Sequence, residues 1–396
     1  MSIIKPFRAV RPTRDKAQLV ATRPLADYKK NLLEAKMESN PYTFLHIIHP
    51  DFEDGEEKDL DKRYHAVRKR FDDFCTVGIL EQDITKNLYL YRQTHDHHVF
   101  LGVIGGASID EYNKGLIKKH EATLTSREEM FTHYLDVVGF NAEPVLLFHT
   151  GNKKLEGIYQ RLAQQRPEYE FSTTDRIKHE LWLVEDNDIL EIQACFAEMQ
   201  ALYIADGHHR SASSARLCQI CNDQYDNKNY FLAFFIEETQ LRILEFNRLV
   251  KKLNMPSEEY LDKVRANYHV EKLSQKRYPS HPHEIIMNLQ NDWYALECNA
   301  SIIDENSPVR SLDTEILTRT ILDPILGIKD LKTDENIRFV SGDKGIEAIE
   351  SMIQAQKADL GFVLHPLTAE QIKRVADHEL IMPPKSTWVE PKLRSG

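Results

Sequence analysis

Apolar positions along the chain recur with two periods, and the switches between them mark a mixed succession of strands and helices. Residues 42–49 read as a strand, 60–75 as a charged amphipathic helix, and 87–106 as a hairpin turning at 94–97. Thr125 followed by Glu128 has capping-box spacing, which predicts an amphipathic helix through Val138. A strand at 144–149, a helix near 154–165 and a strand at 178–185 come next, then a helix whose Ile189, Ile192, Phe196 and Met199 form one apolar stripe. Residues 201–205 read as a short buried strand, and Ala212, Ala215 and Cys218 place a helix over 211–221. The runs 230–236 and 241–250 read as a buried hairpin, with aromatics expected in the core.

Polarity rises between Asn254 and His283, where Pro256, Pro279 and Pro282 interrupt the pattern. Beyond it lie a strand at 293–297, a helix capped by Asp313 toward Leu322, a strand at 337–340, a helix at 345–356 and a strand at 360–364. The pattern therefore predicts an α+β (mixed α/β) protein in three regions, 1–150, 151–253 and 254–396.

The 396 residues are 41% hydrophobic, enough for real cores, and carry a net charge of −11. That acidic balance argues against nucleic acid or an anionic membrane as partner, so an anion site must be local. No run of 18 apolar residues and no leader-like N-terminus is present, and five cysteines are too few and too odd for a disulfide framework. A reduced, cytoplasmic protein is expected. The pair Cys218 and Cys221 lacks a second pair for zinc and reads as helix packing, while His95, His97 and His98 read as solvated turn histidines.

The candidate chemistry sits where the strand at 201–205 meets the following helix, at Asp206-Gly207-His208-His209-Arg210. A helix beginning straight after a strand offers unpaired N–H groups and a positive dipole end to an anion. Gly207 permits close backbone approach, His208 and His209 add donors, and Arg210 can grip phosphate or carboxylate with two parallel bonds. Asp206 would repel an anion unless it orients a histidine, holds a magnesium ion that bridges to phosphate, or takes a proton from a nucleophile. A second stretch places Lys118, Lys119, His120 and Glu121 on a connecting segment, able to supply positive charge and a general base. The tail Met382 to Thr387 is rigid at Pro383 and Pro384 and rich in donors at Lys385, Ser386 and Thr387, an additional candidate site. A docked tail and an exposed terminus are both consistent with that chemistry.

Several of these blocks together resemble a bacterial and archaeal family catalogued as domain of unknown function 1015. The resemblance rests on 203–210, on 117–123, on Leu312-Asp313 with 322–328, and on 382–387, in the family's order. From the segment 22–28 it carries over Asp27 and Tyr28. The box at 206–210 also resembles the phosphate-binding box of the ParB and sulfiredoxin superfamily, particularly its free-serine kinases. The resemblance implies a ParB/sulfiredoxin-like phosphate-binding core with additional α+β domains. It further implies phosphorylation of free L-serine to O-phospho-L-serine, with pyrophosphate or a nucleotide as donor and magnesium as cofactor. Gly207, His208, His209, Arg210, Lys118 and Lys119 would hold phosphate, with Glu121, His120 and Asp206 in the catalytic roles and Asp206 touching the magnesium. Ser211 stands where relatives commonly carry an aromatic, which bears on substrate or donor preference. Neither a Walker G-x-x-x-x-G-K-[ST] pattern nor the protein-kinase signature set occurs. Two alternatives use the same residues: a metal-dependent phosphohydrolase ligated by Asp206, His208 and His209, and a non-enzymatic ParB-like nucleotide- or DNA-binding regulator.

Overall fold

The computed structural model describes residues 2–51, 57–221 and 226–396. It is a mixed α+β structure whose contacts gather the chain into two compact units. The first comprises Met1–Lys119, Thr123–Leu241 and Pro391–Gly396; the second comprises His120–Ala122 and Arg242–Glu390. Where the sequence reading drew three regions, residues 151–241 share one unit with the N-terminal region, because strand Tyr230–Glu237 pairs with His98–Ser108 and with Val145–His149.

The first unit is built on a nine-stranded sheet. Its order runs Ile117–Lys118, Leu202–Asp206, Val145–His149, Tyr230–Glu237, His98–Ser108, Tyr89–His95, Ile177–Leu183 and Tyr169–Ser172, with Ile4–Lys5 added on His98–Ser108. The hairpin expected over 87–106 is present, turning through Asp96, which takes a left-handed φ of 52°. Leu147, Ile204, Ala233, Phe235 and Val103 fill one core from the central strands, and Ile192, Cys195 and Phe196 of helix Asp186–Ala197 pack into it. Residues 42–49 form helix Leu45–Ile48 after a turn, not the expected strand. A short apolar run fits either element, and here Phe44 and Ile47 are buried in a cluster with Val67 and Phe71 of helix Leu60–Thr76. The expected capping box at Thr125 is also absent: Leu124 is the N-cap of helix Thr125–Val138, and Glu128 is engaged instead by the Thr123 hydroxyl.

The second unit is built on a seven-stranded sheet ordered Tyr268–Leu273, Asp292–Cys298, Glu284–Leu289, Leu360–Val363, Arg242–Val250 and Ile337–Ser341, with Thr387–Glu390 added on Arg242–Val250. The tail is docked: strand Thr387–Glu390 pairs with Arg242–Glu245, and Ser386 is buried with its hydroxyl on Pro383 O at 2.7 Å. Residues 230–236 and 241–250 do not form a hairpin with each other; each joins a different sheet. Asp313 does not cap its own helix, since Leu312 holds that position; its Oδ1 accepts from the His283 backbone N–H and sits 3.0 Å from His283 Nδ1.

Candidate functional site

The joint at 206–208 is sharper than the sequence suggests. Strand Leu202–Asp206 ends, Gly207 takes φ 104° and ψ 26°, and helix His208–Ile220 starts at once. That φ lies where only glycine is relaxed, so the abrupt turn depends on Gly207. His208, His209 and Arg210 are therefore the first helical turn, not a loop before the helix expected at 211. No side chain caps this end, the first turn holds no acidic residue, and Ser211 N–H is the donor to Gly207 O at 3.1 Å. The first turn of a helix is where backbone N–H groups and the positive dipole end face an anion. The helix reaches this position because it buries small residues: Ser211, Ala212, Ser213, Ser214 and Ala215 all lie inside, and Thr132 of the neighbouring helix bonds Ser213 O at 3.3 Å.

Arg210 folds back across the joint. Its Nη1 donates to Pro144 O at 2.9 Å and meets Glu143 Oε2 at 3.3 Å, while Nε and Nη2 lie 3.1 Å from where a Cβ on Gly207 would sit. Asp206 Oδ2 is 2.9 Å from Lys392 Nζ, a lysine that sequence reasoning missed because it lies 186 positions away. Burial pushes the Asp206 carboxyl up, but Lys392, Arg210 and His208 outweigh it and hold it down at about 2. Burial pulls His208 down to about 4 against the opposing charge of Asp206, with His209, Lys119 and Arg210 acting in the same direction as burial. Lys118 pairs with Tyr203 across the edge of the sheet, and the Lys119 ammonium lies 5.2 Å from the Tyr112 ring. Asp27, carried over from the N-terminal segment, falls within the field of Lys392, Arg23, Asp206 and Arg394, and burial raises its carboxyl above the usual range.

A cavity of about 630 Å³ opens in the same unit. Tyr91, Tyr169, Phe171, His179, Tyr230 and Arg394 line it, and so do Ala142 and Pro144 on either side of the Glu143 that meets Arg210. Tyr91 OH and His179 Nδ1 are 2.6 Å apart, and burial pulls His179 down to about 3. Both buried histidines bind protons more weakly when folded than the ordinary value of 6.5. The unfolded chain then holds more protons just below pH 6.5, so stability conferred above that pH is expected to fall as pH drops toward 4, and toward 3 for His179. Urea denaturation at stepped pH checks this: the loss between pH 6.5 and 4 should shrink in His208→Gln, and a flat wild-type profile there would count against neutral burial.

His120 and Glu121 belong to the second unit, with the tail. Met382 N–H donates to His120 O at 2.9 Å, so the 120–122 segment and the Met382 to Thr387 tail are one local structure. His120 is buried and Glu121 partly so. The Ser386 and Thr314 hydroxyls meet at 3.3 Å, linking the tail to helix Asp313–Leu317.

Asp206, His208 and His209 do not bring three ligand atoms within 4.8 Å of one another; among the described residues that is met by His281, Glu284 and Glu297, and Glu284 is already gripped by Arg277. A magnesium ion that takes one or two carboxylates plus phosphate oxygens asks less, and Asp206 at the end of its strand is a carboxylate of the kind such an ion takes. No helix among the described residues is long and apolar enough to cross a membrane. All five cysteines are free.

No curated protein matches the chain by sequence. Among solved structures it is similar to a free serine kinase in complex with AMP, at 12% identity, 72% of this chain, 87% of that chain and a TM-score of 0.37. SbnI with a C-terminal truncation, from Staphylococcus aureus, gives 13% identity, 72% and 82% coverage and a TM-score of 0.37. A conserved hypothetical protein from Pyrococcus furiosus gives 13%, 74%, 94% and 0.35. By sequence, residues 4–315 match the family described as protein of unknown function (DUF1015), and the chain belongs to that family.

Proposed function

We propose that this protein is a small-molecule kinase that transfers a phosphoryl group to free L-serine, with pyrophosphate or a nucleotide as donor, on a ParB/sulfiredoxin-like core. The observation that carries the reading is the left-handed Gly207 joint, which starts the helix directly at His208 with Arg210 folded over Gly207 and no acidic residue in the first turn. Donor phosphate would lie there, with His209, Lys118 and Lys119 adding donors and positive charge. His208 is held neutral by burial and suits hydrogen bonding more than charge. The aromatic-lined cavity gives room for the remainder of a substrate. Magnesium would be held by Asp206 and would supply charge neutralisation on the transferring group. The metal-dependent phosphohydrolase is disfavoured because Asp206, His208 and His209 do not converge on one ion.

Purified protein with magnesium, L-serine and each of pyrophosphate, ADP and ATP should form O-phosphoserine, read by mass spectrometry. Folded protein that gives none above a no-enzyme control with any donor overturns the reading. Glu121→Gln keeps the shape and removes a base, so turnover should fall by roughly 10²-fold with donor binding kept if Glu121 receives the serine proton. Near-normal turnover in that variant moves the role to Asp27 or Asp206.

A further inference from the structure

Arg248 is the largest fully buried side chain of the second unit, with no exposed surface, on the inner strand Arg242–Val250. Strand alternation puts it on one face with Phe246 and Val250, opposite Phe339 and Phe362 on the two neighbouring strands. Glu245 lies on the other face, where its Oε1 accepts from Asn247 Nδ2 at 3.2 Å. Arg248 forms no ion pair among the described residues. Its Nη1 turns back to Phe246 O, and its Cζ stands 5.0 Å from the Phe339 ring centroid. Nε and Nη2 have no hydrogen-bond partner. These two N–H groups form the side-on edge of a guanidinium, the one that takes both oxygens of a carboxylate or phosphate.

A second cation shares the same aromatic cluster. Lys385 Nζ lies 5.3 Å from the Phe246 ring, and Phe246 stacks edge-on against both Phe339 and Trp388. Lys385 is exposed and has no carboxylate partner among the described residues, and its φ of 56° sets it in the left-handed region. Burial draws the Arg248 guanidinium down to about 9, as expected of a charge enclosed without a counter-ion.

We propose that the Nε–Nη2 edge of Arg248, with Lys385 at the surface, is an oxyanion-binding site of the second unit for a small carboxylate or phosphate metabolite. The proposal stands apart from the kinase reading, because it concerns binding in the second unit and needs no turnover. A buried fork without an anion is unfavourable, so the anion should stabilise the fold, and removal of the charge should not harm the anion-free protein.

The test is thermal denaturation at fixed ionic strength with inorganic phosphate, acetate or L-serine, in an Arg210→Lys background that weakens phosphate binding at the Gly207 joint. Arg248 protein should gain about 2–4 °C with at least one of these probes. A gain with phosphate alone assigns a phosphate site, and a gain with acetate or L-serine assigns a carboxylate site. Arg248→Met should lose the gain while its melting temperature in chloride equals or exceeds the parent's. If methionine is not tolerated, Arg248→Lys, which keeps charge but lacks the fork, should lose most of the gain. Absence of any gain in the parent, or an undiminished gain in both variants, overturns the proposal.

Discussion

Asp206→Asn is expected to lower phosphoserine formation by roughly 10²- to 10⁴-fold, the range for removing a group that acts on the reacting centre, with little loss of fold. The fold should hold because the Asp206–Lys392 pair is a partly exposed contact, with side chains 41% and 31% accessible, and pairs of that kind contribute at most about 1 kcal/mol. The activity should fall because Asp206 is the carboxylate at the joint itself, held ionised at about 2 by Lys392, Arg210 and His208. A group that acidic is a weak proton acceptor near neutral pH, which favours magnesium binding and histidine orientation over the base role. Asp27, raised by burial, is the better acceptor in the same electrostatic field. The low-pH limb of the rate profile should therefore vanish or shift in Asp27→Asn while Asp206→Asn lowers the plateau. Near-wild-type turnover in Asp206→Asn removes the joint from the chemistry, and an unchanged limb in Asp27→Asn returns the base to Glu121.

Local signals in the sequence carried the central features, and long-range ones were invisible. The apolar run before Asp206 and the spacing of Ala212, Ala215 and Cys218 were enough for a strand-to-helix joint, because both periods are local. The start of the helix was set three residues late, since a box of two histidines and an arginine has no helical signature, and only the φ of Gly207 starts the helix at His208. The short run at 42–49 became a helix because burial against Val67 and Phe71, not alternation, decides its form. Lys392 reaches Asp206 and Ser395 reaches Glu143 from the far end of the chain, and no pattern in sequence announces such returns. Arg248 was hidden for a different reason: in a strand reading Arg-Ile-Leu-Glu-Phe-Asn-Arg-Leu-Val, a charged residue is expected to face water, and this one lies in the core.

Arg210→Lys should fold and yet lose one to two decades in donor affinity or rate, equivalent to about 1.5–3 kcal/mol for a hydrogen bond to a charged group. The guanidinium has two separable jobs. Nη1 ties the joint to Pro144 O and Glu143, and a lysine ammonium can replace one of those contacts. The Nε and Nη2 edge hangs over Gly207 at the head of the helix, and lysine cannot reproduce two parallel bonds from it. The Glu143 contact is long and its partners are 31% and 23% accessible, so its loss should cost under about 1 kcal/mol. Melting temperature and donor affinity measured on one preparation separate the jobs. A small change in melting temperature with a ten- to hundredfold loss of pyrophosphate or nucleotide affinity is the expected pair of results. The reverse pair, a clear drop in melting temperature with donor affinity unchanged, would make Arg210 a brace for the 143–144 segment and take the phosphate away from this joint.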